Sequence, residues 1–294
     1  MKELTGKTAV VTGAASGMGR AFARRFAAAG MKVALADIEE PVLHQVVDEL
    51  RQEGAEAIGV VTDVADLTSV QDLADQAIDA FGQVNLVCNN AGVAGGSMGS
   101  ATGEGLDLAD WKWVLDVNLW GVIHGHSVFL PHLLEHGDGH IVNTASMAGH
   151  FPGHSAYSAS KWAVVGITEG LFQNLRATES GVGVSCLCPG WVNTRIAEST
   201  RNRPEWAAPS TLAEPEHEGT SDVELRAAFV RDQLASGMAP SQVADLVVDA
   251  VLNDKFWIFT DLTMVSSLEE RFASVRENRN PEQWNLGQML SETD

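Results

Sequence analysis

Thr8-Ala-Val-Val-Thr12-Gly13-Ala-Ala-Ser16-Gly17-Met18-Gly19, followed one helix later by Lys32-Val-Ala-Leu-Ala36-Asp37, is the stretch that decides the fold. Thr8 to Thr12 is a short apolar run that stops at glycine, which predicts a buried strand. A helix follows, with Phe22, Phe26 and Ala29 on its apolar face, Arg20, Arg24 and Arg25 outward, and Gly30 as its C-cap. Lys32 to Ala36 is the next strand and closes at Asp37. The glycines read Gly13-x-x-x-Gly17-x-Gly19, which is not the common G-x-G-x-x-G spacing. The physics is shared: glycine lets the backbone approach a pyrophosphate and delivers it to a helix N-terminus. A glycine triad alone also fits a plain tight turn, but strand, glycines, helix, strand and acid in that order are more specific. Asp37 stands where a carboxylate bonds the ribose hydroxyls of a dinucleotide, and its alternative is a helix N-cap. A carboxylate there repels a 2′-phosphate. Ile38 rather than arginine follows it, and the glycine turn holds no basic residue. The expected cofactor is therefore NAD rather than NADP.

Outward from this unit the alternation continues. Glu39, Glu40 and Pro41 open a helix carrying Val42, Val46, Val47 and Leu50; Ala57 to Val61 is a third strand, followed by Asp63 and Val64. Ser69 to Phe81 is helical, and Val84 to Cys88 is a fourth strand running into Asn89-Asn90-Ala91-Gly92. Strand–helix alternation predicts a parallel sheet covered by helices on both faces, with ligands beyond the carboxyl ends of the strands, where Gly13, Asp37, Asp63 and Asn90 fall. After a glycine- and serine-rich loop (Gly95 to Gly105) comes a long helical region with Trp111, Trp113, Asn118 and Trp120, then Val122 to Leu134. Ile141 to Ala145, Val182 to Leu187 and Phe256 to Thr260 complete seven strands, with a long helix from Ser155 to Thr178 and two more over 222–235 and 241–253. The expectation is a Rossmann-like α/β, doubly wound seven-stranded parallel sheet. Residues 1–275 form one domain, 191–239 are its substrate loop, 195–221 lie mobile over the strand ends, and 276–294 are a polar tail after a helix at 268–275.

The chain has 294 residues, 45% hydrophobic, and a formal net charge of -20. That acidity argues against nucleic acid and against anionic membrane surfaces as partners. No run reaches the roughly 18 apolar residues of a membrane span, and no basic start precedes an apolar one, so the expected location is cytoplasmic. Cys88, Cys186 and Cys188 lie in apolar strands and read as buried thiols rather than a disulfide or zinc site.

Tyr157, the only tyrosine, is followed four residues later by Lys161. On a helix that spacing puts phenol and ammonium on one face. A phenol of pKa near 10 is a poor base at neutral pH; bringing it to about 7 needs roughly 3 units, or about 4 kcal/mol. A fixed cation beside it supplies stabilisation of that sign, and Ser146 offers a hydroxyl to hold the same substrate oxygen. Such a phenol exchanges a proton with an alcohol or a carbonyl oxygen. Taken alone, Tyr-x-x-x-Lys fits a surface helix equally well.

The motifs Thr12-Gly13-Ala-Ala-Ser16-Gly17-Met18-Gly19, Asp63-Val64, Asn89-Asn90-Ala91-Gly92, Asn118, Ser146, Tyr157-x-x-x-Lys161 and Pro189-Gly190-x-x-x-Thr194, in this order over about residues 5 to 260, resemble the short-chain dehydrogenase/reductase superfamily. The resemblance implies a proton relay with Tyr157 as acid/base. Lys161 lowers its pKa and bonds the nicotinamide ribose, Ser146 polarises the substrate oxygen, and Asn118 holds a water linking Lys161 to solvent. By the same likeness Gly13, Ser16, Gly17, Met18 and Gly19 cradle the pyrophosphate. Asp37 and Ile38 meet the adenosine, Asp63 and Val64 the adenine, and Asn90, Ala91 and Gly92 a ribose. Pro189, Gly190, Val192 and Thr194 seat the carboxamide. The likeness also implies a homodimer or homotetramer through the helices of 122–134 and 155–178, whose apolar breadth exceeds what one sheet face needs.

Two features depart from the family. The usual glycine-rich exit after the last strand is replaced by Asp261-Leu262 and a helical extension, which puts the usual C-terminal packing in question. The loop after Thr194 is also longer; with the Leu268-Glu-Glu-Arg-Phe272 tail it is similar to a subgroup acting on bulky aromatic secondary alcohols. His154 and Trp191 are the further substrate-contact candidates, with Trp206 bordering the same pocket. His150 and His154 otherwise read as solvated loop histidines, and Arg195, Arg201 and Arg203 as an anion trap or a solvated loop face. His132-Leu-Leu-Glu135-His136 matches a zinc-peptidase pattern but ends a helix far from the sheet's carboxyl edge, and no metal is expected. The function expected is NAD-dependent interconversion of a secondary alcohol and a ketone. The alternative from another class is a silent NAD(H)-sensing protein on the same fold.

Overall fold

The computed structural model describes residues 1–95, 106–208, 222–266 and 268–281. Seven strands pair in parallel in the order β3-β2-β1-β4-β5-β6-β7: β1 Thr8–Thr12, β2 Lys32–Asp37, β3 Ala57–Val61, β4 Leu86–Asn89, β5 Gly139–Thr144, β6 Val182–Cys188 and β7 Trp257–Phe259. Strands β1, β4 and β5 are buried along their whole length, as a sheet covered on both faces requires. Ten helices follow the same alternation among the described residues: α1 Gly17–Ala28, α2 Glu40–Gln52, α3 Leu67–Phe81, α4 Leu108–Leu115, α5 Gly121–His136, α6 Ala156–Ala177, α7 Asp222–Ser236, α8 Pro240–Asn253, α9 Leu262–Ser266 and α10 Leu268–Arg276.

The two faces carry separate cores. Phe22 and Phe26 of α1, Leu43, Val46 and Leu50 of α2 and Val243 and Val247 of α8 pack on one side. Leu73 of α3, Phe129 and Leu133 of α5 and Leu175 of α6 pack on the other. On α2 it is Leu43, fully buried, rather than Val42 that faces the sheet. The strand order reverses between β1 and β4. A crevice is expected beyond their carboxyl ends in such sheets.

Three segments differ from the sequence expectation. Between α4 and α5 the helix widens into a π turn, Asp116–Trp120, which contains Asn118. The segment expected to be a mobile loop begins with two 3₁₀ turns, Ile196–Asn202 and Glu205–Ala207. Ion pairs hold it: Arg203, only 9% exposed in its side chain, meets Asp107 at 2.7 Å and Asp110 at 3.3 Å. Its remainder, 209–221, and the tail beyond 281 lie outside the described residues. Third, the C-terminal extension docks on the domain. Leu268 is buried with Met147, Phe151 and Val164, and the Arg271 guanidinium lies 4.2 Å from the centroid of the Trp162 ring. No described helix is long and apolar enough to cross a membrane.

Candidate active site

A cleft of about 540 Å3 opens along the carboxyl edge of the sheet. Its nucleotide end is built by the turn after β1. Gly13 holds φ +66, and a Cβ there would come within 2.9 Å of Ala91 Cα. A Cβ on Gly19 would stand 2.1 Å from Gly13 O, so that glycine lets α1 pack tightly under the turn and does not itself line the cleft. Ser16 precedes α1 in extended conformation without capping it, and the first turn holds no acid. The positive end of a 12-residue helix therefore faces the cleft, suited to an anion.

Asp37, at the end of β2, accepts from Ala15 N at 2.8 Å and from Glu39 N at 3.0 Å. Both backbone bonds fix the carboxylate, so its local turn role and its place in the cleft coexist. Thr12 has a part the sequence reading did not assign. Its Oγ1 accepts from Asn90 N at 2.9 Å and Ala91 N at 3.0 Å, while Asn90 Nδ2 donates to Thr12 O at 2.9 Å. This lattice locks the ends of β1 and β4 together across the crevice. Gly13, Ser16, Gly17, Met18, Asp37, Ile38, Asp63, Val64, Asn90, Ala91 and Gly92 line that end of the cleft, as do Pro189, Gly190, Val192 and Thr194 further along.

Ser146, Tyr157 and Lys161 meet at the other end. Ser155 caps α6 by accepting from Ser158 N at 3.1 Å, which starts the helix one turn before Lys161. Lys161 Nζ donates to Thr144 O at 2.8 Å and stands 5.6 Å from the Tyr157 ring centroid. Ser146 follows β5 and its Oγ accepts from Ala148 N at 3.1 Å. Burial lowers the Lys161 ammonium to about 8. Burial also raises the Tyr157 phenol above its ordinary value, and a hydrogen bond with Ser146 works against that rise. This reverses the direction expected from the Tyr-x-x-x-Lys spacing. Desolvation of the phenolate outweighs the Ser146 hydrogen bond, and the Lys161 ammonium donates to Thr144 O.

Asn118 is fully buried behind the cleft rather than in it. Its Oδ1 accepts from Val93 N at 2.8 Å, and its Nδ2 donates to Val93 O at 2.9 Å and Ser160 Oγ at 3.1 Å. The amide so engaged positions the chain at Gly92–Val93 beside Lys161. Neither His154 nor Trp191 lines the cleft: His154 is exposed, and Trp191 packs edge-on against Phe229 at 6.2 Å. The wall beyond Tyr157 is instead Val93, Trp113, Val117, Pro204, Trp206 and Leu234, apolar groups from four separate segments. Their convergence has no local signature in the sequence. His150 is buried, with Nε2 3.4 Å from Cys188 Sγ and its ring against Trp257 and Phe259, not solvated. All three cysteines are buried and free.

His132 and His136, at the C-terminal end of α5, do not line this cleft. The His132, Glu135 and His136 ligand atoms fall within 4.8 Å of one another. His132 Nε2, however, accepts from Val84 N at 3.0 Å, so the one lone pair of its neutral ring is engaged.

A family model described as short chain dehydrogenase matches residues 7–205. A 1-deoxy-11-beta-hydroxypentalenate dehydrogenase of Streptomyces exfoliatus is 35% identical over 272 residues, 92% of this chain and 88% of that one. A CLA biosynthesis dehydrogenase/reductase of Lactiplantibacillus plantarum is 31% identical over 287 residues, 96% of this chain and 97% of that one. A short chain dehydrogenase/reductase of Burkholderia phymatum, solved in complex with NAD, matches with a TM-score of 0.86 at 43% identity, covering 97% of this chain and 99% of that one. With its matched motifs brought to one cleft and relatives along nearly its whole length, the chain belongs to the short-chain dehydrogenase family of oxidoreductases.

Proposed function

We propose that the protein is an NAD-dependent oxidoreductase that interconverts a bulky, largely apolar secondary alcohol and its ketone, with Tyr157 as the acid/base. The observation that carries this reading is the convergence of Ser146, Tyr157 and Lys161 in the same cleft as Asp37 and the α1 N-terminus. The residues fit a dinucleotide. An uncapped helix end suits a pyrophosphate, and a fixed carboxylate at the end of β2 suits ribose hydroxyls and disfavours a 2′-phosphate. When bound, NAD would supply the hydride acceptor.

The chain's own part is placement and proton handling. Ser146 and Tyr157 hold the carbinol oxygen between two hydroxyls. In oxidation the alcohol proton passes to the Tyr157 oxygen as the C–H hydride leaves; in reduction the same oxygen gives the proton back. Lys161, charged below about pH 8, lies within one helical turn of the phenol and stabilises its anionic form. Val93, Trp113, Val117 and Trp206 would exclude water and accept a hydrophobic or aromatic substituent. We further propose that the chain assembles as a homodimer or homotetramer through α5 and α6, and that it works in the cytoplasm. The test is an NADH-absorbance screen of secondary alcohols, aryl and cyclic ones included. Tyr157→Phe should lower kcat by about 10²-fold or more while NAD binding persists. Undiminished turnover in that variant would remove the mechanism.

A further inference from the structure

We propose that Glu39 is a cofactor-discriminating residue, which by pairing with Arg201 withholds from a 2′-phosphate the cation it would need. The inference rests on the dinucleotide reading above and deepens it. The glycine turn has no basic residue, yet the cleft is not without cations. Arg195 and Arg201 line it from the opposite wall, on the chain that follows β6, facing Asp37, Ile38 and Glu39 at the end of β2.

Both arginines are engaged by carboxylates. Arg201 donates to Glu39 Oε1 from Nε at 3.0 Å and from Nη2 at 2.6 Å, and Asn202 Nδ2 reaches the same oxygen at 2.8 Å. The remaining arm of the guanidinium, Nη1, donates to Glu198 O at 3.0 Å and Arg195 O at 3.4 Å. Arg195 Nε in turn holds Glu198 Oε2 at 2.7 Å. The Arg201 and Glu39 side chains remain 27% and 21% exposed, so the pair is within reach of a ligand in the cleft.

Around the adenosine end, then, three carboxylates (Asp37, Glu39 and Glu198) face two guanidiniums. Asp63 and Asp66 line the same end, so carboxylates outnumber these guanidiniums, and a phosphomonoester adds up to two more negative charges. Glu39→Gln keeps the side-chain length and one acceptor oxygen but removes the charge that holds Arg201. A neutral oxygen competes weakly with a phosphate, so the Nε and Nη2 edge of Arg201 can turn to a 2′-phosphate and meet it bidentately. A hydroxyl-terminated ribose has no use for that cation, so NAD gains nothing from its release.

Calorimetric titration of NAD and NADP into wild type, Glu39→Gln, Arg201→Gln and the double variant tests this without turnover. Glu39→Gln should raise the ratio of NADP to NAD affinity about fivefold or more, and the gain should shrink at high salt. Arg201→Gln should not raise the ratio, and the double variant should lose the gain. Two results would overturn the inference: equal weakening of both dinucleotides in Glu39→Gln, which makes Glu39 only a strap, or a gain that survives in the double variant, which makes Arg201 irrelevant. Failure of wild type to bind either dinucleotide would instead refute the functional reading, and the inference with it.

Discussion

His140 offers a quantitative test of the fold's acid sensitivity. It is the second residue of β5, a strand flanked by β4 and β6, and is fully buried. Ser185 Oγ donates to Lys255 O at 2.6 Å, so the contact between His140 Nε2 and that hydroxyl, 2.8 Å, has the imidazole as donor. Its proton therefore sits on Nε2, and Nδ1 has no hydrogen-bond partner. A second proton would have to enter a dry site, and burial pushes the imidazole down to about 3 from an ordinary 6.5. Because the folded value is depressed, the contribution is present above pH 6.5 and drains away as pH falls from there toward 3. At about pH 5 the folded ring is still neutral, while the unfolded one has bound its proton across about 1.5 pH units, which costs ~2 kcal/mol. His140→Asn keeps a donor for Ser185 and removes the titration. Urea unfolding of both proteins at about pH 8 and about pH 5 should show the stability advantage of wild type shrinking by ~2 kcal/mol. Parallel losses in the two proteins would refute the assignment of that proton to His140.

Further outcomes follow from the same geometry. Asp37→Ala should narrow the preference for NAD over NADP, read as the ratio of the two kcat/KM values; an unaltered ratio would deny the carboxylate its ribose role. Leu268→Ala removes a buried side chain from the cluster that contains Met147, the neighbour of Ser146, and should cost about 2–3 kcal/mol in denaturant unfolding; a change within error would show that the C-terminal extension is not part of the core. A light-scattering mass in solution should exceed that of the 31.3 kDa chain by two- or fourfold, and a monomer would remove the proposed assembly.

Much of the fold could be read along the chain. The turn at Gly13, the acid closing β2 and the spacing of Tyr157 and Lys161 are local features, each set by neighbours within one helix or one turn. Seven parallel strands follow from strand–helix alternation, but their order, β3-β2-β1-β4-β5-β6-β7, is set only in the folded sheet. Hydrogen bonding at Thr12 was less visible, since a threonine at a strand end has no distinguishing pattern. His154 and Trp191 are near site residues in sequence yet do not line the cleft, whose apolar lining includes Val93, Trp113 and Val117. The direction of the Tyr157 shift was also out of reach, because spacing shows that a cation is near and does not show how dry the pocket is.

By itself the sequence determined which segments are strands, which helices cover them, and which motifs stand at the strands' carboxyl ends, because periodicity and turn chemistry act over a few residues. Only the tertiary structure decided that Glu39 meets Arg201, that Arg203 is held by Asp107, that Leu268 joins the buried cluster of Met147, and that His140 bonds Ser185. Each joins residues distant along the chain, and such pairings exist only once the sheet has stacked its strands and fixed which loops face one another across the cleft.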